Sequence, residues 1–169
     1  ADDGDIAYSI VTAPASSADP NYDGLNAANV AVSNSDDDNA GITVTPTAGL
    51  ITTEAGGTAS FTVVLATQPT ANVSVGLASS DSSEGTAAPT TLTFTPANWS
   101  TPQAVTITGV DDVIVDGSVA YSIVTAAAVS SDPNYSGIDA ANVAVSNSDN
   151  DVASVVISES GGTTAVTEG

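Results

Sequence analysis

The sequence predicts an all-β chain folded as an antiparallel β-sandwich, and three observations carry that expectation. Short runs alternate apolar and polar residues, as Ile42–Thr45 (ITVT) and Val73–Ala78 (VSVGLA) do, which is the period of a half-buried strand. Turn signals recur roughly every 8–12 positions. The apolar vocabulary is Val, Ile, Leu and Ala with Thr beside them, because Met and Cys are absent and aromatics make up 4% of the chain. β-Branched residues suit a pleated surface, and no helical period appears at any length.

The elements run in order along the chain. Ile42–Thr45 is a strand ended by Pro46, and Leu50–Glu54 continues it after a break at Gly49. Gly56-Gly57 is a tight turn before the strand Ser60–Leu65. Pro69 sits in the turn before Val73–Ala78. Ser79–Pro89, rich in Ser, Thr and Ala, reads as a loop carrying Asp81 and Glu84. Thr91–Thr95 is a short strand stopped by Pro96, and Trp99 is placed to cap one end of the core. Gln103–Val110 (QAVTITGV) is a cleanly alternating strand that runs into Asp111-Asp112. Val119–Thr125 and Val143–Ser148 are the last two strands, joined by a polar connection holding Asp132, Tyr135 and Asp139. About seven strands of this kind make two sheets with a core about 10 Å thick.

An internal repeat sets the domain map. Asp3–Asp38 and Asp116–Asp151 share AYSIVTA, DPNY and AANVAVSNSD in the same order, and 27 of the 36 paired positions are identical. Tyr8 matches Tyr121 and Tyr22 matches Tyr135, each at an offset of 113. Val152–Gly169 echoes Asn39–Gly56, with Glu168 near the place of Glu54. The expected organisation is therefore the end of one repeat (1–38), a complete β-sandwich repeat (39–151) and the start of another (152–169), a window of a longer tandem array. The connectors Asp36-Asp37-Asp38 and Asp149-Asn150-Asp151 contain no flexible Gly/Ser linker, so the units should stand stiffly end to end.

The charge balance excludes several classes of function. With no Lys, Arg or His and 20 acids, the net charge is −20, yet charged residues are only 12% of the chain. Binding of nucleic acid phosphates or of an anionic membrane surface needs Lys and Arg. No base or nucleophile of the His, Cys or Lys kind is present, and no Ser sits in a nucleophile elbow, so no enzyme is expected. Zero Cys removes disulfides, and no apolar run approaches the ~20 residues of a membrane helix.

Gly109–Gly117 (GVDDVIVDG) places Asp111, Asp112 and Asp116 within one short run that nothing cationic in the chain can answer. A pair of carboxylates a few ångströms apart must raise a pKa or find a cation, and a hard divalent cation with oxygen ligands is the economical choice. Asp132 and Asp139 read as turn formers instead.

These residues carry a resemblance. Asp111-Asp112-Val113-Ile114-Val115-Asp116 followed by Tyr121, Glu54 before Gly56-Gly57, and the triplet Asp149-Asn150-Asp151 resemble the acidic motifs of Calx-β domains. The resemblance covers the whole repeat and implies an immunoglobulin-like sandwich that binds Ca²⁺ at one end. It implies as ligands Glu54, Asp111, Asp112, the Ile114 carbonyl, Asp116, Asp149 and Asp151, with Asp36, Asp37 and Asp38 as the matching triplet of the preceding unit. Asp81 or Glu84 is placed to add one more. Asn150 stands where Asp37 supplies an acid, and Val119 where tight-binding members have one. Both departures weaken binding, toward roughly 10⁻⁴–10⁻³ M.

The expected function is structural: a segment of a secreted or cell-surface array, stiffened by Ca²⁺ into a rod or extracellular filament. Its expected partners are neighbouring repeats of the same chain, with homotypic fibre contacts as an open option. The alternative is a calcium-dependent adhesin module that binds glycan or protein through one loop end.

Overall fold

The structure, a computed structural model, describes residues 2–157 and 161. The echo of Asn39–Gly56 in 152–169 lies mostly outside the described residues, Glu168 included. β1 (Ile6–Ile10) and β2 (Val30–Asn34) form an antiparallel hairpin of their own. The remaining strands build an immunoglobulin-like sandwich. One sheet has the order β3 (Ile42–Thr45), β5 (Thr58–Leu65), β9 (Gln103–Gly109), β7 (Gly85–Ala88). In the other, β4 (Leu50–Thr53), β12 (Val143–Ser148), β10 (Val119–Thr125) and β6 (Val73–Ser79) lie side by side. β8 (Thr91–Phe94) and the short β11 (Val129–Ser130) also pair with β6.

Alternation along each strand sends one face inward, and the inward residues meet in a single core. Phe61, Val63, Val105 and Ile107 from one sheet are buried with Val73, Val75, Phe94, Ile123 and Val143 from the other. Each fully buried aliphatic or aromatic side chain stabilises the fold by roughly 1.5–3 kcal/mol. Trp99 packs against the edge of this core, in the capping place expected of it.

Besides the two-residue β11 within the connection after β10, two elements differ from the sequence reading. Leu50–Thr53 does not prolong β3. After Pro46 and Gly49, whose φ of 78° suits a residue without a Cβ, the chain crosses to the opposite sheet. There β4 pairs in parallel with β12, Leu50 opposite Val145 and Thr53 opposite Ser148. The sandwich is thus antiparallel except for this one pair. The second difference lies within Ser79–Pro89, where Gly85–Ala88 is a strand. Its Gly, Thr and Ala offer no β-branched run, so pairing with Thr106–Gly109 of β9 supplies what local propensity lacks.

The chain enters the sandwich at one pole and leaves at the other. At the N-terminal pole, Ala66 N–H donates to the Gly41 carbonyl and Leu65 N–H to the Trp99 carbonyl. Tyr135 is fully buried here: its hydroxyl accepts from Thr67 N–H (3.0 Å) and donates to the Thr67 carbonyl (2.7 Å). The C-terminal pole gathers the ends of β4, β9 and β12 with the starts of β7 and β10.

β1–β2 repeats the register of β10–β12 residue for residue. Tyr8 faces Val32 as Tyr121 faces Val145, and Ile10 faces Val30 as Ile123 faces Val143. The side-chain bonds repeat too: Thr12 N–H donates to Asn29 Oδ1 as Thr125 N–H does to Asn142 Oδ1.

Tyr135→Phe strands the buried Thr67 amide and should cost about 1–3 kcal/mol. Tyr22→Phe, at the exposed counterpart, should stay within about 0.5 kcal/mol. Urea unfolding of the two variants checks the difference.

Candidate metal centre

The acids of the C-terminal pole arrive on separate strand ends. β4 delivers Glu54, whose own N–H donates to the Ser148 carbonyl and so extends the parallel ladder by one residue. β12 runs out into Asp149 and Asp151, and β9 into Asp111 and Asp112. The segment before β10 adds Asp116, and the turn before β7 adds Glu84. Two triples result: Glu54, Asp149 and Asp151, and Glu84, Asp112 and Asp116. In each, one carboxylate oxygen per residue lies within 4.8 Å of the other two. Glu54 and Glu84 are buried, and Asp149, Asp151 and Asp112 are half-buried. Asp111 joins the edge of the first triple, accepting from Asn150 Nδ2 at 3.1 Å.

Backbone amides serve some of these carboxylates and not others. Asp149 accepts the Asp151 N–H (2.6 Å) and the Gly117 N–H (2.8 Å), and these hold its pKa below the usual carboxylate value. Glu54 accepts the Asn150 N–H at 2.9 Å, which pulls its pKa down. Burial and the charges of Asp149, Asp112 and Asp151 together outweigh that bond, and its net shift is upward. Asp151 is raised by burial first, then by the charges of Asp149, Asp111, Asp112 and Asp116. Its Oδ2 is buried and has no hydrogen-bond partner.

A polar relay runs from the core to this pole. Tyr121 OH lies 3.1 Å from Thr52 Oγ1, which donates to Asn147 Oδ1 at 3.0 Å. Asn147 Nδ2 then donates to the Val110 carbonyl at 3.0 Å and, more weakly, to Glu84 Oε2 at 3.4 Å. Two glycines leave room for it. A Cβ at Gly85 would collide with the Tyr121 hydroxyl, and one at Gly109 with the Thr53 carbonyl and Asn147 Oδ1. Asn147 and Thr52 lie in alternating strands and carry no acid, so nothing in the sequence marks them out. Spacing alone makes Glu84 only one of two options. Its buried position shows why it, rather than Asp81, faces the centre: Asp81 accepts from Ser83 N–H and Oγ, closing the turn that presents Glu84.

The donor set suits a hard divalent ion. Oxygens bound at 2.3–2.6 Å to one Ca²⁺ lie at most about 4.6–5.2 Å apart, and no pair within either triple is more than 4.8 Å apart. All six donors are carboxylates, and one of these residues, Asp151, keeps a buried oxygen without a hydrogen-bond partner. The Ile114 N–H donates to Asp112 Oδ1 at 2.7 Å. Val113, Ile114 and Val115 themselves are exposed.

Asp36, Asp37 and Asp38 belong to neither triple. Asp36 repeats the turn of Asp149, accepting N–H groups from Asp3 (2.8 Å), Gly4 (2.6 Å) and Asp38 (3.0 Å). Residues 1–38 hold counterparts of Asp116, Asp149 and Asp151, but none of Glu54, Glu84, Asp111 or Asp112. Asp132 caps its own loop, accepting from Thr70 N–H (2.7 Å) and Asn134 N–H (3.0 Å). It lies at the N-terminal pole, far from the triples.

No family model matches the chain, and no curated protein does. Among solved structures, the periplasmic chaperone SfaE is similar in fold, with a TM-score of 0.50 at 9% identity. The match covers 65% of this chain and 58% of SfaE, so the chain spans little more than half of that protein. The apo-form Calx CBD1 domain gives a TM-score of 0.49 at 17% identity, over 65% of this chain and 96% of the domain. Domains 1–6 of the surface layer protein SbsC give 0.41 at 19% identity, over 72% of this chain and 15% of theirs.

The shifted carboxyls set an expected pH dependence for the metal-free chain. A carboxyl raised in the folded state keeps its proton more tightly there, so stability falls as pH climbs from the ordinary carboxylate range through the raised values of Glu54 and Asp151. Asp36, Asp81, Asp132 and Asp149 are lowered, and their contribution is lost as pH falls through those lowered values. In chelator the urea midpoint should therefore peak in the ordinary carboxylate range, about pH 4, and decline toward neutrality. Glu54→Gln should flatten the decline. A midpoint that holds level from pH 4 to pH 7 contradicts the assignment.

Proposed function

We propose that this chain is a structural segment of a secreted or cell-surface protein, in which Ca²⁺ at the C-terminal pole stiffens the join to the adjoining unit. The carrying observation is the convergence of six carboxylates and the unpartnered Asp151 Oδ2 on one pole of a chain without a cationic side chain. Neutralising them from outside offsets the burial and the like-charge repulsion that together raise Glu54 and Asp151. It also ties the ends of β4, β9 and β12 to the turn before β7 and the segment before β10.

Where the acids lie favours a mechanical role over a catalytic one. The centre sits on the segment by which the chain leaves the sandwich, since Asp149 and Asp151 come directly after β12. At the other pole, Asp2, next to Asp3 of the matching acidic set, has its carboxylate accepting Ala40 N–H (2.9 Å) and its carbonyl accepting Asn134 Nδ2 (2.5 Å). Acid-bearing ends thus lie on both sides of the sandwich, along the path of the chain. No helix among the described residues is long and apolar enough to cross a membrane.

Calorimetry in Ca²⁺ and in chelator tests this reading. With dissociation constants of roughly 10⁻⁴–10⁻³ M, 10 mM Ca²⁺ adds about 1.4–2.7 kcal/mol by mass action. That raises Tm by roughly 3–10 °C for a domain of this size, and Asp112→Asn should remove most of the gain. Equal melting temperatures with and without the ion would sink the proposal.

A further inference from the structure

The β1–β2 hairpin presents an apolar face that no other described residue covers, while the same residues in β10–β12 are buried. Tyr8 is 52% exposed against 5% for Tyr121, and Tyr22 is 61% exposed against 0% for Tyr135. Ile10 and Val30 are likewise open where Ile123 and Val143 are sealed. A two-stranded hairpin is marginal alone in water, yet this one keeps the full register of its buried counterpart.

The differences between the two hairpins fall in a pattern. All ten positions buried in the stretch from Asp116 to Asp151, from Tyr121 through Asp132 to Asn147, carry the same residue in Asp3–Asp38. The nine differences all fall at positions that are exposed or half-buried in the sandwich. The matching set includes polar groups that a generic apolar surface cannot satisfy. Tyr135 needs the Thr67 amide and carbonyl, Asp132 the Thr70 amide, and Asn147 the Thr52 hydroxyl and the Val110 carbonyl. Tyr22, Asp19 and Asn34 ask for the same partners. The open edges agree. β10 pairs Ile123–Thr125 with β6, and β12 pairs Val145–Ser148 with β4, which leaves Ile10–Thr12 and Val32–Ser35 as the matching free edges.

We propose that the β1–β2 hairpin is a docking element, and that its occupant is a second β3–β9 body with the sequence of residues 39–115. In the complex a β6-type strand lies along the edge of β1 and a β4-type strand runs parallel to β2, continuing the interface seen around β10–β12. The inference does not rest on the calcium reading.

The test joins residues 39–115 ahead of Asp3 of the present chain, so that Val115 precedes Asp3 as it precedes Asp116. Amide hydrogen exchange is then followed at Ile6–Val11 and Val30–Asn34, in chelator and again in Ca²⁺, so that loss of the calcium reading leaves this result readable. These amides should slow by more than about a thousandfold relative to the 169-residue chain, to the level of β10 and β12. In the extended chain Tyr22→Phe should also become as destabilising as Tyr135→Phe. Hairpin amides that stay fast, whether the added body misfolds or folds apart, overturn the proposal, as does a Tyr22→Phe that remains silent. A 169-residue chain that already protects these amides and sediments as a dimer would mean that copies of the chain cover the face instead, and would also overturn it.

Discussion

Every negative charge in this protein must be answered without a cationic side chain, and much of the structure is arranged around that constraint. Backbone N–H groups are the main donors left, joined by a few hydroxyl and amide side chains such as Ser83, Asn147 and Asn150, and turns are where they can be aimed. Asp36, Asp81, Asp132 and Asp149 each sit at the head of a turn and accept one or more N–H groups from residues close ahead, which keeps them ionised easily. Glu54 and Asp151 are the exceptions. They lie where strand ends crowd and too few amides point their way, so burial and like charge prevail. These acids thus divide into those that the fold's own donors keep ionised and those on which burial and like charge prevail.

The crowding at that pole has a cause in the backbone path. Because the chain crosses to the other sheet after β3 and β4 runs beside β12, Glu54 ends level with Asp149 instead of on the far sheet. Tyr121, Thr52 and Asn147 are bonded across the strands of one sheet, and the Asn147 bonds to the Val110 carbonyl and Glu84 tie that sheet to the ends of β9 and β7 opposite. These bonds need Gly85 and Gly109 as neighbours, since any Cβ there would occupy the same space. A hydroxyl and amide network inside a Val- and Ile-rich sandwich specifies one alignment where apolar packing alone would tolerate several.

Much of this was legible in the sequence. Alternation in Ile42–Thr45, Gln103–Gly109 and Val143–Ser148 named those strands because each buries one face of a sandwich, and the offset of 113 named the hairpin that recurs. The sheet crossing was not legible, since a Pro and a Gly announce a break but not where the chain resumes. Nor was β7, whose pairing with β9 outweighs a composition suited to a loop. The acids could be listed from their spacing and from the resemblance they carry. Their grouping into two triples, and the choice of Glu84 over Asp81, depended on which turn is held by Ser83 and which side chain that turn leaves pointing inward.

The parallel pair β4–β12 also bears on how the sandwich meets a pull. The chain reaches β4 from the N-terminal pole and leaves β12 at the other, so tension between Ala40 and Asp151 drags the two strands in opposite directions along their length. The hydrogen bonds from Leu50–Val145 to Thr53–Ser148 are then loaded in shear, all together, rather than peeled one at a time. Glu54 and the Asp149–Asp151 pair lie just past the end of that ladder, one on each sheared strand, and an ion shared between them would act as its rivet.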